Sequence, residues 1–141
     1  MCHPPPDTSR MTMDPLVLAM ASQVAWVAIL YAALTLVRAP AVWGLGRRED
    51  GSNPWGTYEP RISANLRNQF EWPVLFFAAC LLLLLDPSLR HSFHTWLAWL
   101  FVLGRMLHTG VQVLTTNVRL RGVVFTVNFL AVLAMWGLLL A

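Results

Sequence analysis

Two stretches of the chain, Pro15 to Val37 and Gly122 to Ala141, carry no charged side chain. Each reaches the roughly 20 apolar residues that a hydrocarbon core of about 30 Å demands of a helix. Two shorter uncharged runs lie between them, Trp72 to Leu85 and Ser92 to Gly104. Neither crosses alone, but each becomes long enough once the polar positions at one end, Ile62 to Glu71 and Arg105 to Leu114, are counted as helix. The pattern predicts an all-α integral membrane four-helix bundle with spans over about 15–38, 62–85, 92–114 and 120–141. These spans form a domain over 14–141, and the proline-rich tail over 1–13 is read as disordered. A re-entrant hairpin in place of the middle pair would need its backbone satisfied away from lipid, for which so small a protein has little to spare.

Composition supports the membrane class and removes others. The 141 residues are 57% hydrophobic and 12% charged, where a soluble domain is about 25% charged. Disordered chains are charge-rich and apolar-poor, so the chain as a whole is not one of them. Two cysteines, Cys2 and Cys80, are too few to staple a chain of this size. All ten basic residues are arginine, set against seven acidic ones for a net +3. They are spread over several loops rather than one stripe, so no nucleic-acid partner is expected.

Arginine placement orients the spans. Arg38, Arg47, Arg48 and Arg61 fall in the first connection and Arg119 and Arg121 in the third, while the second has only Arg90 and the tail only Arg10. By the positive-inside rule the first and third connections are cytoplasmic, and both termini lie on the outer side. Asp7 and Asp14 offset Arg10 and the following apolar run is long, so the first span reads as a membrane helix rather than a cleaved leader. Trp96, Trp99 and Trp136 suit an interfacial belt, and Trp43 and Trp55 suggest that the long first connection packs on the membrane surface.

The polar residues inside the middle spans are the informative ones. Helix two enters as RISANLRNQFEWPVLFF, with Arg61, Ala64 or Asn65, Asn68 and Glu71 at three- and four-residue steps on one face. Helix three leaves as GRMLHTGVQ, with Arg105, His108 and Gln112 sharing a face. At about 1.5 Å per residue, Asn68 lies about 10 Å and Glu71 about 15 Å from Arg61, while His108 and Arg105 lie about 13 and 18 Å from Asn117. Matched depths let Glu71 meet Arg105 and Asn68 meet His108. Pro73 lacks an N–H and clashes with the Gln69 carbonyl, so that turn is loosened.

Such a face admits two roles. Asn68, Glu71, Arg105 and His108 serve as interhelical glue, each polar bond worth about 0.6 kcal/mol. Alternatively they line a cationic, hydrogen-bonding pocket for an anionic, water-soluble ligand, because one Glu71 cannot neutralise Arg38, Arg67, Arg105 and Arg121. No zinc-spaced cysteine pair, phosphate-cradling glycine loop or Ser/His/Asp set is present. His91 and His94 lack a third ligand, so no metal is expected.

At these residues the chain resembles the MAPEG family, the membrane-associated proteins in eicosanoid and glutathione metabolism. The resemblance rests on Arg67-Asn68-Gln69-Phe70-Glu71 followed by Pro73 and Phe76, on Arg105-Met106-Leu107-His108, and on Arg121 thirteen residues after His108. It implies a homotrimer in a bacterial inner membrane, with glutathione as substrate bound between subunits near the cytoplasmic side. Arg38, Arg67, Asn68, Glu71, Arg105, His108 and Gln112 would bind it, and Arg121 would favour its thiolate. The implied activity is a glutathione-dependent transferase or peroxidase acting on a lipophilic molecule drawn from the bilayer. The alternative is a non-catalytic binding or accessory membrane protein on the same scaffold. Three positions depart from the family pattern: Ala64 stands where an arginine is usual, Gln112 where enzymes often carry tyrosine, and Gly122 where the prostaglandin-forming branch carries serine.

Overall fold

The computed structural model describes residues 13–141; the remainder of the tail read as disordered lies outside the described residues. Five helices follow in order, α1 (Pro15–Trp43), α2 (Glu59–Asn68), α3 (Trp72–Leu85), α4 (Ser92–Leu114) and α5 (Val118–Leu140), with a 3₁₀ turn at Pro87–Leu89. Helices α2 and α3 together make one span, so four are long and apolar enough to cross a membrane. Four antiparallel spans put the start of α1 and the end of α5 at one end of the bundle and the two arginine-rich connections at the other.

Helix α1 starts where Asp14 accepts the Leu16 N–H at 2.8 Å, with Pro15 in the first turn, a position that costs no hydrogen bond. Asp14 also pairs with Arg90, which reaches Thr95 as well, tying the start of α1 to the turn before α4. The Arg90 guanidinium, helped by the Leu16 N–H, holds the Asp14 carboxyl below its ordinary range. A carboxyl lowered on folding contributes stability above its unfolded pKa of about 3.9 and loses it as pH falls through the lower folded value. Asp14→Asn should therefore melt slightly lower than the wild type at neutral pH and lose less stability as pH falls below about 4, so that the two melting temperatures converge in acid. The pair is partly exposed, so the difference at neutral pH should stay below about 1 kcal/mol.

Helix α1 runs on past Arg38 and Pro40 to Trp43, further than the apolar pattern indicates. It ends at Gly44, whose φ of +72° is the left-handed cap favoured by glycine. Pro40 gives up the bond its N–H would make to the Leu36 carbonyl, but only three helical residues follow it. Arg47 folds back to donate to the Pro40 and Ala41 carbonyls at 3.1 and 3.3 Å, filling helix-end acceptors. Arg61 does the same for α4, donating to the Val113 carbonyl at 3.1 Å. Two arginines of the first connection thus cap helices.

The second span is broken. Gln69 and Phe70 close α2 through tight bonds to the Leu66 and Arg67 carbonyls, Glu71 leaves helical geometry at φ −97°, ψ −95°, and α3 restarts ahead of Pro73. The loosened turn anticipated from Pro73 is a full interruption.

Side chains pack in three tiers. Toward the termini, an apolar core joins Leu16 and Ala19 to Phe76, Leu83, Phe101 and Met135, with the Phe76 and Phe101 rings stacked at 4.6 Å. At the arginine-rich end a smaller cluster, Leu30, Leu34, Ile62 and Leu66, seals α1 against α2. Between them lies a buried polar tier of Gln23, Asn65, Gln69, Arg105, Thr109 and Gln112.

Candidate functional site

The polar tier begins at the break in the second span. Losing helical geometry after Asn68 frees its carbonyl, and Arg105 Nη2 donates to it at 2.9 Å. Arg105 Nε donates to Gln69 Oε1 at 3.2 Å, and Gln23 Nε2 reaches the same oxygen at 3.0 Å. Gln69 Nε2 donates to Asn65 Oδ1 at 3.2 Å. Thr109 Oγ1 lies 2.9 Å from that Asn65 oxygen and accepts the Trp26 indole N–H at 3.3 Å. Asn65 Nδ2 completes the chain by donating to Gln112 Oε1 at 2.9 Å. One glutamine thus joins α1, α2 and α4, and the 1% exposed Arg105 is surrounded by neutral acceptors.

This changes the expected pairing. Glu71 is exposed at the break and makes no ion pair with Arg105; Gln69 and the Asn68 carbonyl take that guanidinium instead. The physical reason is the interruption: beyond Asn68 the helical phase is lost, so Glu71 no longer shares the face that spacing alone assigns to it. Asn68 and His108 line the same space without bonding to each other.

That space is a cavity of about 360 Å³ opening at the arginine-rich end, lined by Asn68, His108, Gln112, Arg121, Gly122 and Phe125, with Val118 at its edge. Its volume falls within the range of small-molecule sites, about 300–1,000 Å³. A second hollow of about 310 Å³ beside Arg61, Ala64 and Thr116 shares Gln112 and Arg121 with it. Ala64 leaves room there that a longer side chain would fill. His108 is 2% exposed and neither ring nitrogen has a partner among the described residues; its ring lies 6.0 Å from that of Phe125. Gln112 has its carbonyl oxygen occupied by Asn65, so it offers a ligand N–H donors. Arg121 is exposed at the rim and forms no ion pair among the described residues.

Four of the eight residues singled out from the sequence, Asn68, His108, Gln112 and Arg121, therefore meet at one cavity, and Arg105 anchors the helix behind it. The other three face elsewhere. Arg38 pairs with Glu59 across α1 and α2 at 2.7 Å. Arg67 borders a shallow groove of about 170 Å³ with Tyr31, Ser63 and Phe70, since its neighbour Asn68 is about 100° away around the helix. Glu71 stands at the surface. The side chains of Gln69, Gln23 and Thr109 complete the tier without any charge or spacing signal in the sequence, although Gln69 sits inside the motif itself.

At the opposite end, His91 and His94 build the start of α4 by reciprocal capping, His94 Nδ1 accepting the His91 N–H at 3.0 Å. Among the described residues no three His, Cys, Asp or Glu side chains converge as a metal site would need.

A model of the MAPEG family matches residues 16–141. No curated protein and no solved structure matches the chain.

Proposed function

The chain belongs to the MAPEG family, integral membrane proteins of the kind that serve eicosanoid and glutathione metabolism, and from that premise we propose that it is a glutathione-dependent transferase or peroxidase acting on lipophilic electrophiles. The carrying observation is the cavity, where Arg121 stands at the mouth with no ion pair and buried His108 lies within with no hydrogen-bond partner, both among the described residues. Guanidinium groups bind carboxylates through charge-assisted, often bidentate bonds. The N–H donors of Gln112, Asn68 and His108 suit the amides of a tripeptide. A cation beside a thiol lowers its pKa and favours the nucleophilic thiolate, its proton passing to water. The thiolate then attacks an electrophilic carbon, and the new C–S bond forms as that carbon's bond to its leaving group breaks, the electron pair departing with the leaving group.

The proposed assembly is a homotrimer. Arg38, Arg67 and Glu71 face away from the cavity of their own chain, and a neighbouring subunit is what would carry such groups to its open side. Glu71 would there meet the ammonium of glutathione. The arginine-rich connections, with the cavity mouth, are assigned to the cytoplasmic face of a bacterial inner membrane.

Purified protein with glutathione should show the ultraviolet absorbance of a thiolate at neutral pH. Arg121→Ala should reduce that absorbance about tenfold, the equivalent of one pKa unit. Absence of any glutathione-dependent rise in melting temperature would overturn the proposal. Binding without catalysis is the second reading, and one observation favours it: among the described residues no Ser, Thr or Tyr hydroxyl lines the cavity. Glutathione that binds and stays a thiol would select it.

A further inference from the structure

The second hollow, of about 310 Å³, is left without a role by the function above. Helix α2 contributes Pro60, Arg61 and Ala64 to it, α4 contributes Gln112, α5 contributes Arg121, and Thr116 lines it from the link between the last two. Arg61 and Arg121 stand in the first turns of their helices, so the hollow lies at the helix ends, level with lipid headgroups rather than hydrocarbon. Ala64 is what leaves it open.

Its chemistry is a surplus of positive charge. Among the described residues neither arginine forms an ion pair and no acidic side chain lines the hollow. Arg61 is half-buried and already oriented, because its Nη1 donates to the Val113 carbonyl at 3.1 Å; that uses one of the five N–H donors a guanidinium carries. Gln112 adds Nε2, its oxygen being taken by Asn65. The Thr115 hydroxyl is spent on the Val111 carbonyl at 2.7 Å, which leaves that of Thr116 at the rim. Two guanidiniums without a carboxylate call for a dianion. A carboxylate brings one charge and two oxygens, whereas a phosphate monoester brings about −1.5 to −2 at neutral pH and three acceptor oxygens. Guanidinium forks hold such oxygens in bidentate pairs.

We propose that this hollow is a binding site for a phosphate monoester, held between Arg61 and Arg121. Two sources offer that group at this height: a water-soluble phosphate ester from the aqueous side, or phosphatidic acid in the adjoining leaflet. Arg121 belongs to both hollows, so a bound phosphate draws that guanidinium away from the thiol and lowers the thiolate fraction of glutathione. That consequence rests on the function proposed above; the phosphate site does not.

The test uses ethyl phosphate, titrated calorimetrically into phosphatidylcholine nanodiscs carrying the full chain, with acetate at equal ionic strength as control. Ethyl phosphate should bind saturably, and acetate at least about tenfold more weakly. Arg61→Gln should raise the half-saturation at least about tenfold, the loss of one charge-assisted bond. Ala64→Leu fills the hollow with both arginines in place, puts a strong helix former at that position, and should abolish binding. In nanodiscs doped with phosphatidic acid, a melting temperature raised in the wild type but not in Arg61→Gln assigns the site to the lipid. Ethyl phosphate binding without that rise assigns it to a soluble ester. Acetate binding as tightly as ethyl phosphate, equal half-saturation in wild type and both variants, or no saturation by either phosphate source would overturn the site. The thiolate absorbance of glutathione, read on Arg61→Gln without phosphate, reports separately on the thiol site and should match the wild type.

Discussion

Gln69→Leu should destabilise the protein by about 3–5 kcal/mol, the range for stripping a buried charge of its partner. The substitution removes the side-chain oxygen shared by Arg105 and Gln23 and the donor to Asn65, three bonds at once. Arg105 keeps only the Asn68 carbonyl, and a guanidinium so enclosed has no route to water. Gln23→Leu tests the edge of the same network and should cost only about 1 kcal/mol, since it deletes one neutral bond. Gln69→Glu should fall between them, because a carboxylate pairs with Arg105 yet cannot donate to Asn65. Reversible unfolding in mixed micelles measures all three. A Gln69→Leu protein within 1 kcal/mol of the wild type would mean that the polar tier is held by water rather than by its own side chains.

The seam between α4 and α5 carries the second large effect. Gly104→Ala should cost about 1–3 kcal/mol, as overpacking does, because the new methyl group and Asn128 Oδ1 cannot occupy the same space. The asparagine must turn or the helices must part. Asn128→Ala in the same protein should recover most of the loss, so the double-mutant cycle should give a coupling of at least about 1 kcal/mol. Gly110→Ala is the control, since nothing stands within 4 Å of the added carbon there, and it should be neutral or slightly stabilising. Equal costs at the two glycines would show that helix propensity, not the fit to Asn128, sets the penalty.

Much of the architecture was legible in the sequence because lipid makes a simple demand. Pro15 to Val37 and Gly122 to Ala141 have no charge to place, and the middle spans acquire full length only by taking polar residues inward. The helical spacing of Arg105, His108 and Gln112 led correctly to one face, since α4 is unbroken from Ser92 to Leu114. The spacing of Asn68 and Glu71 misled, because spacing carries meaning only while the helix continues, and Pro73 ends it between them. Helix α1 outran its apolar pattern for a related reason: Arg38 and Pro40 look like a stop, but the capping by Arg47 comes from a residue beyond the helix. Gln23 and Asn128 were illegible in principle. A lone neutral amide in an apolar run has no periodicity, and what it meets is set by a different helix.

Pairing Gln69 with Arg105 also bears on how the chain enters the membrane. Helix α3 has 14 residues and reaches about 21 Å, short of a hydrocarbon layer about 30 Å thick. The missing stretch is α2, whose amides and arginines gain nothing from lipid until α4 presents its guanidinium and threonine to them. During synthesis, then, the second span emerges before the partner that makes it soluble in the bilayer, and the pair settles as a hairpin. Until Arg105 has left the ribosome, the nascent α2 belongs at the headgroups.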